Sequence, residues 1–458
     1  MLKHSNPGGY NMEGLNPLLA EFITEVGAES IMNQNYPIGS PTGIDAIDFL
    51  SMSQQMNTQG HSYLTCGIYN SNVTGWIGET GVGKSTMAQI ANASALKNEL
   101  LMDRQAVELF LDIEKMMENA RCFNVSLFDD YAEFAKSFLR IAGVQNNTAE
   151  KIYKQFVKFS SLKDNYRSIY LKPHPTCPDL NLHVPSFVVL DPTSRIATEN
   201  IMDAVEDDQK EKGHIHEDKD IEMGNNTDFM KIGLATKSMV MRIMSSISDK
   251  NMPLSFVSHI NKKVSIGFAD KFLPPFLPGM KQGETLANGK AFSDIAYHIY
   301  RLNNGRADRD QQFGGTILGK EKKLIVAKSK TCGEMTELPI YFDFSRGVLN
   351  LVTNFTMLSD KKLLIGKGNY SIPGSDVKFT KKNMYFKYYN DTKFAEAFDR
   401  ASYQAYIQHI HPSAGFSVDD VCEFFAKYRP VGEYSNRLKN NLLPVELKRD
   451  NEGAQMIA

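Results

Sequence analysis

Eight consecutive residues constrain this chain more than any others. Gly78, Glu79, Thr80, Gly81, Val82, Gly83, Lys84 and Ser85 satisfy the pattern G-x-x-x-x-G-K-[ST] in full, and Thr86 follows. A strand-like run at 74–77 precedes the pattern and a run of good helix formers, 85–96, follows it. The glycines let backbone N–H groups turn inward around a chain of phosphates. The helix that follows points its positive end at the same place. Lys84 then reaches the β and γ phosphates, and the Ser85 hydroxyl joins the shell of a Mg²⁺ ion. A chance glycine loop is the competing explanation, and the complete match between a strand and a helix argues against it. ATP with Mg²⁺ is the expected ligand.

With 458 residues, the length alone suggests about three units of roughly 150 residues. Apolar runs with β-branched residues recur at 107–111, 187–190, 254–257, 296–300 and 324–327, with helical stretches between them, notably 85–96 and 229–247. Buried strands alternating with helices predict an α/β fold with a mostly parallel sheet covered on both faces. That core is expected over 59–350. Ahead of it, 1–58 is read as a short N-terminal segment. Leu15, Leu18, Leu19, Phe22, Ile23 and Val26 have helical spacing there, on a helix that packs on its own core or on a neighbouring subunit. Behind it, 351–458 is read as a small C-terminal domain with amphipathic helices at 394–407 and 418–428.

Three further sites carry chemistry. In Phe187-Val188-Val189-Leu190-Asp191, an acid ends a fully apolar strand, as a Mg²⁺-shell carboxylate must; Ser194 lies three residues on. In Leu109-Phe110-Leu111-Asp112-Ile113-Glu114, two acids follow the strand after the loop–helix unit. Glu114 is placed to orient or deprotonate an attacking water, and Asp112 to hold the loop. Solvated strand-end acids fit the same positions. In Leu254-Ser255-Phe256-Val257-Ser258-His259, a buried strand ends in a His that suits contact with a γ-phosphate, or an ordinary structural role.

Charge adds a partner. Lys plus Arg number 51 against 53 Asp plus Glu, a formal net charge of −2, which excludes a chain that is basic all over. Locally the picture differs. Residues 203–222 hold nine acidic and three basic residues, and residues 251–340 hold 13 basic and 8 acidic, a net of 13 − 8 = +5. A polyanion needs local rather than global positive charge. The segment 261–289, with three prolines and four glycines, is predicted to be one long loop. It interleaves Lys262, Lys263, Lys271 and Lys281 with Phe268, Phe272 and Phe276, a mixture suited to single-stranded DNA with its bases exposed for stacking. A solvated loop with a few core aromatics has the same composition.

Taken in order, G-x-x-x-x-G-K-S-T, D-x-E, the apolar-Asp strand, Ser258-His259-Ile260-Asn261, Gly289-Lys290-Ala291-Phe292-Ser293-Asp294 and Val326-Ala327-Lys328-Ser329-Lys330-Thr331 make a set that resembles the RecA recombinase superfamily, especially the UvsX-type recombinases of large bacteriophages. The resemblance covers about 37–350, and more weakly a stretch from 384 to 400. It implies a RecA-like P-loop ATPase core that forms helical filaments on single-stranded DNA and pairs it with double-stranded DNA. The work implied is homologous pairing and strand exchange in recombination, repair and recombination-dependent replication. It further implies Lys84 and Ser85 as phosphate and Mg²⁺ ligands, Glu114 as catalytic glutamate, Asp191 as the second Mg²⁺-shell acid and His259 as phosphate sensor. DNA-binding loops are implied at about 195–228 and 262–289. Lys290 would cross the filament interface to a neighbour's ATP, with Lys328 and Lys330 near that interface. Phage single-strand-binding and recombination-mediator proteins are the further partners implied. Two departures stand out: Asn119 occupies the position where the family often has an adenine-stacking aromatic, and the acidic insertion 203–222 is long.

A hexameric replicative helicase shares the same core but should carry a substantial domain ahead of the phosphate loop. A non-catalytic DNA-binding filament scaffold should have lost the loop motif or Glu114, and both are intact. Five dispersed cysteines without a C-x-x-C pair suggest reduced thiols rather than disulfides or zinc. The absence of a signal-like N-terminus or a long apolar run leads to the expectation of a cytoplasmic protein, in the host cytoplasm if phage-encoded, with no membrane association.

Overall fold

Neighbouring residues of the buried strands belong to opposite faces of one sheet. In 186–191, Phe187 and Val189 join one hydrophobic cluster while Val188 and Leu190 join another; in 107–112, Phe110 joins the first and Leu109 and Leu111 the second. A strand's period of two requires this, and an apolar residue at every position requires cover on both sides. The computed structural model describes residues 38–429, apart from 57–61, 127, 144–146, 167–170, 176, 200–225, 263–273, 287–289, 306–311, 314–315, 318–319, 344–346 and 374. The predicted N-terminal helix, the acidic insertion, Lys263, Phe268, Lys271 and Phe272 lie outside the described residues.

The large sheet has ten strands in chain order: β1 (Val73–Gly78), β2 (Val107–Asp112), β3 (Phe138–Ala142), β4 (Ser186–Asp191), β5 (Leu254–Lys262), β6 (Glu284–Leu286), β7 (His298–Asn304), β8 (Lys320–Lys328), β9 (Glu337–Asp343) and β10 (Gly347–Val348). Across the sheet they run β10-β9-β8-β7-β1-β5-β4-β2-β3, with β6 beside β5. From β7 to β3 every pairing is parallel; β8, β9 and β10 extend one edge antiparallel. The fold is thus α/β around a large, mostly parallel sheet flanked by helices.

Helix α1 is Asp45–Ser51, α2 Lys84–Leu101, α3 Asn119–Val125, α4 Tyr131–Ser137, α5 Ala149–Asn165, α6 Asn226–Asp249, α7 Lys290–Ile295, α8 Asn350–Asp360, α9 Met384–Asn390, α10 Thr392–Ile410 and α11 Val418–Tyr428. Helix α2 covers the first face with Met87, Ile90, Ala91 and Leu96. Helices α5 and α6 cover the second with Ile152, Phe156, Met239, Val240, Ile243 and Ile247. Each of these buried side chains other than Ala91 contributes about 1.5–3 kcal/mol relative to exposure. Residues of α8 to α11, among them Phe355, Tyr385, Phe398, Tyr406 and Phe425, share the first cluster with Ile47, Phe49 and Leu50 of α1. The seam is locked by Arg429, fully buried, whose guanidinium pairs with Asp45 and Asp48 and donates to the Tyr403 hydroxyl.

The segment 261–289 departs from the single loop expected. Strand β5 runs on to Lys262, and β6 returns antiparallel to it, pairing Ile260 with Leu286 and Lys262 with Glu284. The return is anchored by a buried ion pair, Arg301 Nη1 to Glu284 Oε2 at 2.7 Å. No helix among the described residues is long and apolar enough to cross a membrane. Cys66, Cys122, Cys332 and Cys422 are free thiols.

Candidate active site

Sheet order gathers what the sequence scatters. Strands β1, β5, β4 and β2 are consecutive neighbours and parallel, so their carboxyl ends line one edge. The register sets Gly78 beside His259 and Asp191 beside Asp112. In open α/β sheets this edge is where ligands bind.

The loop from Gly78 to Gly83 leaves β1 and enters α2. A Cβ on Gly78 would collide with the carbonyl oxygen of Leu302 on β7, so the strand end must be glycine. Gly83 caps α2 with φ 99°, a left-handed conformation that other residues adopt only with strain. Glu79, Thr80 and Gly81 are exposed, and Val82 is buried under the loop. Thr86 is buried and accepts a hydrogen bond from Arg121 Nη2 at 3.0 Å.

Lys84 is 4% exposed. Its Nζ donates to the Glu79 carbonyl at 2.8 Å and lies 3.3 Å from His259 Nδ1. Burial pushes the ammonium down to about 8, opposed by the nearby Asp191 and Glu114 carboxylates. Burial pushes Asp191 up to about 7, and the hydrogen bond from the Ser85 hydroxyl pulls the other way. His259, half-buried, is held below its ordinary value by burial and by the Lys84 charge. A buried carboxylate and a hydroxyl in contact are hard oxygen donors of the kind Mg²⁺ takes alongside substrate phosphates. Among the described residues no group of three or more His, Cys, Asp or Glu side chains forms a metal cage.

Two acids follow β2 in different roles. Asp112, buried, accepts from the backbone N–H groups of Met116 and Met117 and from Arg140 Nε and Nη2 at 2.9 and 2.7 Å. It therefore shapes the turn, as its position suggested. Glu114 reaches the site edge, where its Oε1 accepts from Arg195 Nε at 2.8 Å. Arg195, Arg121 and Arg140 were not singled out in the sequence. Only Arg195 carried a signal, as a cation four residues beyond Asp191.

The remaining candidates separate. Lys262 is exposed and pairs with Glu79 at 3.2 Å, tying the end of β5 to the phosphate-type loop. Lys281 is exposed, and its backbone N–H donates to Glu284. Phe276 is half-buried against the second hydrophobic cluster, where it packs as a core aromatic. Lys290 is exposed at the start of α7. Lys328 donates to the carbonyls of Ser293 and Asp294 at 2.7 and 3.1 Å, capping the last turn of α7. Its register with Ile299, which pairs with Gly75, sets Lys328 about 10 Å below the level of Gly78, and the exposed Lys330 continues away from the loop. Neither lysine serves the loop of its own chain. Asn119 is exposed at the first position of α3. Compared with models of protein families and with curated proteins, the chain matches none.

Proposed function

We propose that this chain is a DNA-dependent ATPase with a RecA-like core, one that assembles on single-stranded DNA as a helical filament and catalyses homologous pairing and strand exchange. The observation that carries the reading is the meeting of Lys84, Ser85, Asp191, Glu114 and His259 at the ends of four adjacent parallel strands, with His259 on the strand that leads into the lysine- and phenylalanine-bearing segment 262–289. A bare nucleotide-binding site does not need that last connection.

In this reading ATP phosphates lie in the loop 78–85 against its backbone N–H groups and the start of α2. Lys84 exchanges the Glu79 carbonyl for phosphate oxygens, which favours its charged form. Ser85 and Asp191 would hold Mg²⁺, which supplies charge neutralisation between the β and γ phosphates. Glu114 orients the attacking water and accepts its proton. The water oxygen bonds to the γ-phosphorus, the bond from that phosphorus to the bridging oxygen breaks, and ADP and phosphate leave. Lys290 and Lys330 are exposed and would meet a neighbouring copy's nucleotide, with Lys328, which caps α7, beside them.

The test is ATP turnover with and without single-stranded DNA, with the same samples imaged by electron microscopy. DNA-stimulated turnover on helical filaments is the expected result. Closed hexamers that unwind forked DNA, or no turnover in either condition, would refute it.

A further inference from the structure

We propose that Arg195 is a positioning residue that restrains Glu114, and that nucleic-acid phosphate competing for its guanidinium releases the carboxylate for catalysis. The proposal rests on the ATPase reading above. Its basis is a contact between two backbones that are each fixed. Arg195 ends a short 3-10 turn, Thr193–Arg195, whose Thr193 hydroxyl donates to the Val257 carbonyl at 3.3 Å and whose next residue, Ile196, is buried in the second hydrophobic cluster. Glu114 follows Asp112, clamped by Arg140, and Ile113, whose N–H donates to the Asp191 carbonyl at 2.8 Å. Neither root moves easily, so the pair is set by the sheet and only the side chains are free.

The two partners differ in access. The Glu114 side chain is 29% exposed and that of Arg195 is 70% exposed. A base must present a free oxygen to the attacking water. Here the Arg195 Nε–H holds Oε1 at 2.8 Å, so the orientation of the carboxylate, and with it the direction of the free Oε2, is set by the cation rather than by the water. A polyanion reaches the exposed guanidinium and draws it off without touching Glu114. Arg195 and Glu114 also act with opposite sign on His259, so the exchange changes the field at the Lys84–His259 contact as well.

An exposed ion pair is weak, which suits a restraint that must be released and bounds its effect. Arg195→Ala should raise DNA-free ATP turnover by about two- to five-fold, leave KM for ATP unchanged and lower the ratio of DNA-stimulated to DNA-free turnover by the same factor. Arg195→Lys should restore part of that ratio. An unchanged urea midpoint would show that the variant is folded. Wild-type ratios in Arg195→Ala would overturn the restraint. So would a fall in turnover both with and without DNA, because Arg195 would then be serving the substrate. If the wild type hydrolyses no ATP in either condition, the ATPase reading fails first and the restraint with it.

Discussion

Asp191→Asn should make the protein more stable and inactive at once. The carboxyl is 5% exposed at the end of β4, and burial lifts it from an ordinary 3.8 to about 7. That gap corresponds to about 4 kcal/mol of preference for the neutral form. Because the folded-state value is raised, the native state holds the proton more tightly than the unfolded chain. Its stability therefore falls as pH rises from about 4 to about 7 and stays at the lower level above that. Asn removes the titration while its side-chain oxygen still accepts from Ser85. With a chelator and no nucleotide, the variant should exceed the wild type by about 4 kcal/mol at pH 8, the gap narrowing to about 1 kcal/mol at pH 4.5. Urea unfolding at the two pH values measures this directly. Added Mg²⁺-ATP should stabilise the wild type and not the variant, since a ligand stabilises only the state that binds it. A variant no more stable than wild type at pH 8, with a parallel pH profile, would show that Asp191 is not held against its burial, and the electrostatic account of the site would fall.

Three other outcomes follow from the geometry. Lys84→Ala should abolish phosphate release with or without DNA; residual DNA-stimulated turnover would remove Lys84 from the site. Lys290→Ala should lose stimulated turnover in step with filament formation seen by microscopy, and intact stimulation would rule out a role across the subunit interface. Arg429→Met leaves the Asp45 and Asp48 carboxylates buried without their cation, so it should cost about 3–5 kcal/mol in urea unfolding near pH 7. Adding Asp45→Asn should recover part of the loss, and an unchanged midpoint would show that the seam does not depend on the pair.

The strand-end acids Asp112 and Asp191 are marked in the sequence because each stands directly after an apolar run. Phe187 to Leu190 demand a buried strand, and a buried strand must end somewhere polar, so Asp191 was marked by its neighbours. Asp112 is marked in the same way, whereas His259 follows Ser258 at the end of a strand that Ser255 also interrupts. What the run cannot give is who sits beside whom. Arg195 meets Glu114 across 81 positions because β4 pairs with β2, and Arg140 meets Asp112 across 28 because β3 pairs with β2 on its other side, pairings that local patterning does not encode. Strand β6 is three residues long, too short to carry an alternation, so a hairpin return was read as loop. Phe276 was read either as a stacking aromatic among lysines or as a core aromatic, and the core that half-buries it is built by Met239, Ile243 and other residues distant in the sequence. Composition marks an aromatic, and only tertiary contact decides which face it serves.

Strand β5 connects the loop 78–83 to the segment after Lys262. Up to His259 it is held by β1, whose Gly78 pairs with His259, and on its other side β4 pairs with it as far as Phe256. Beyond His259 it pairs with the three-residue β6, and Ile260 is buried in the second hydrophobic cluster. The pairing with β1 therefore ends at the residue that touches Lys84, and Lys262, about 10 Å further along, closes back on Glu79 of the loop itself. A ligand that draws Lys84 from the Glu79 carbonyl acts on both ends of this short span, through His259 and through the Glu79–Lys262 pair. The Glu79–Lys262 pair is exposed and weak, whereas Arg301 anchors β6 through its buried pair with Glu284, so the Glu79–Lys262 pair is the contact on this span that a bound ligand would break most cheaply.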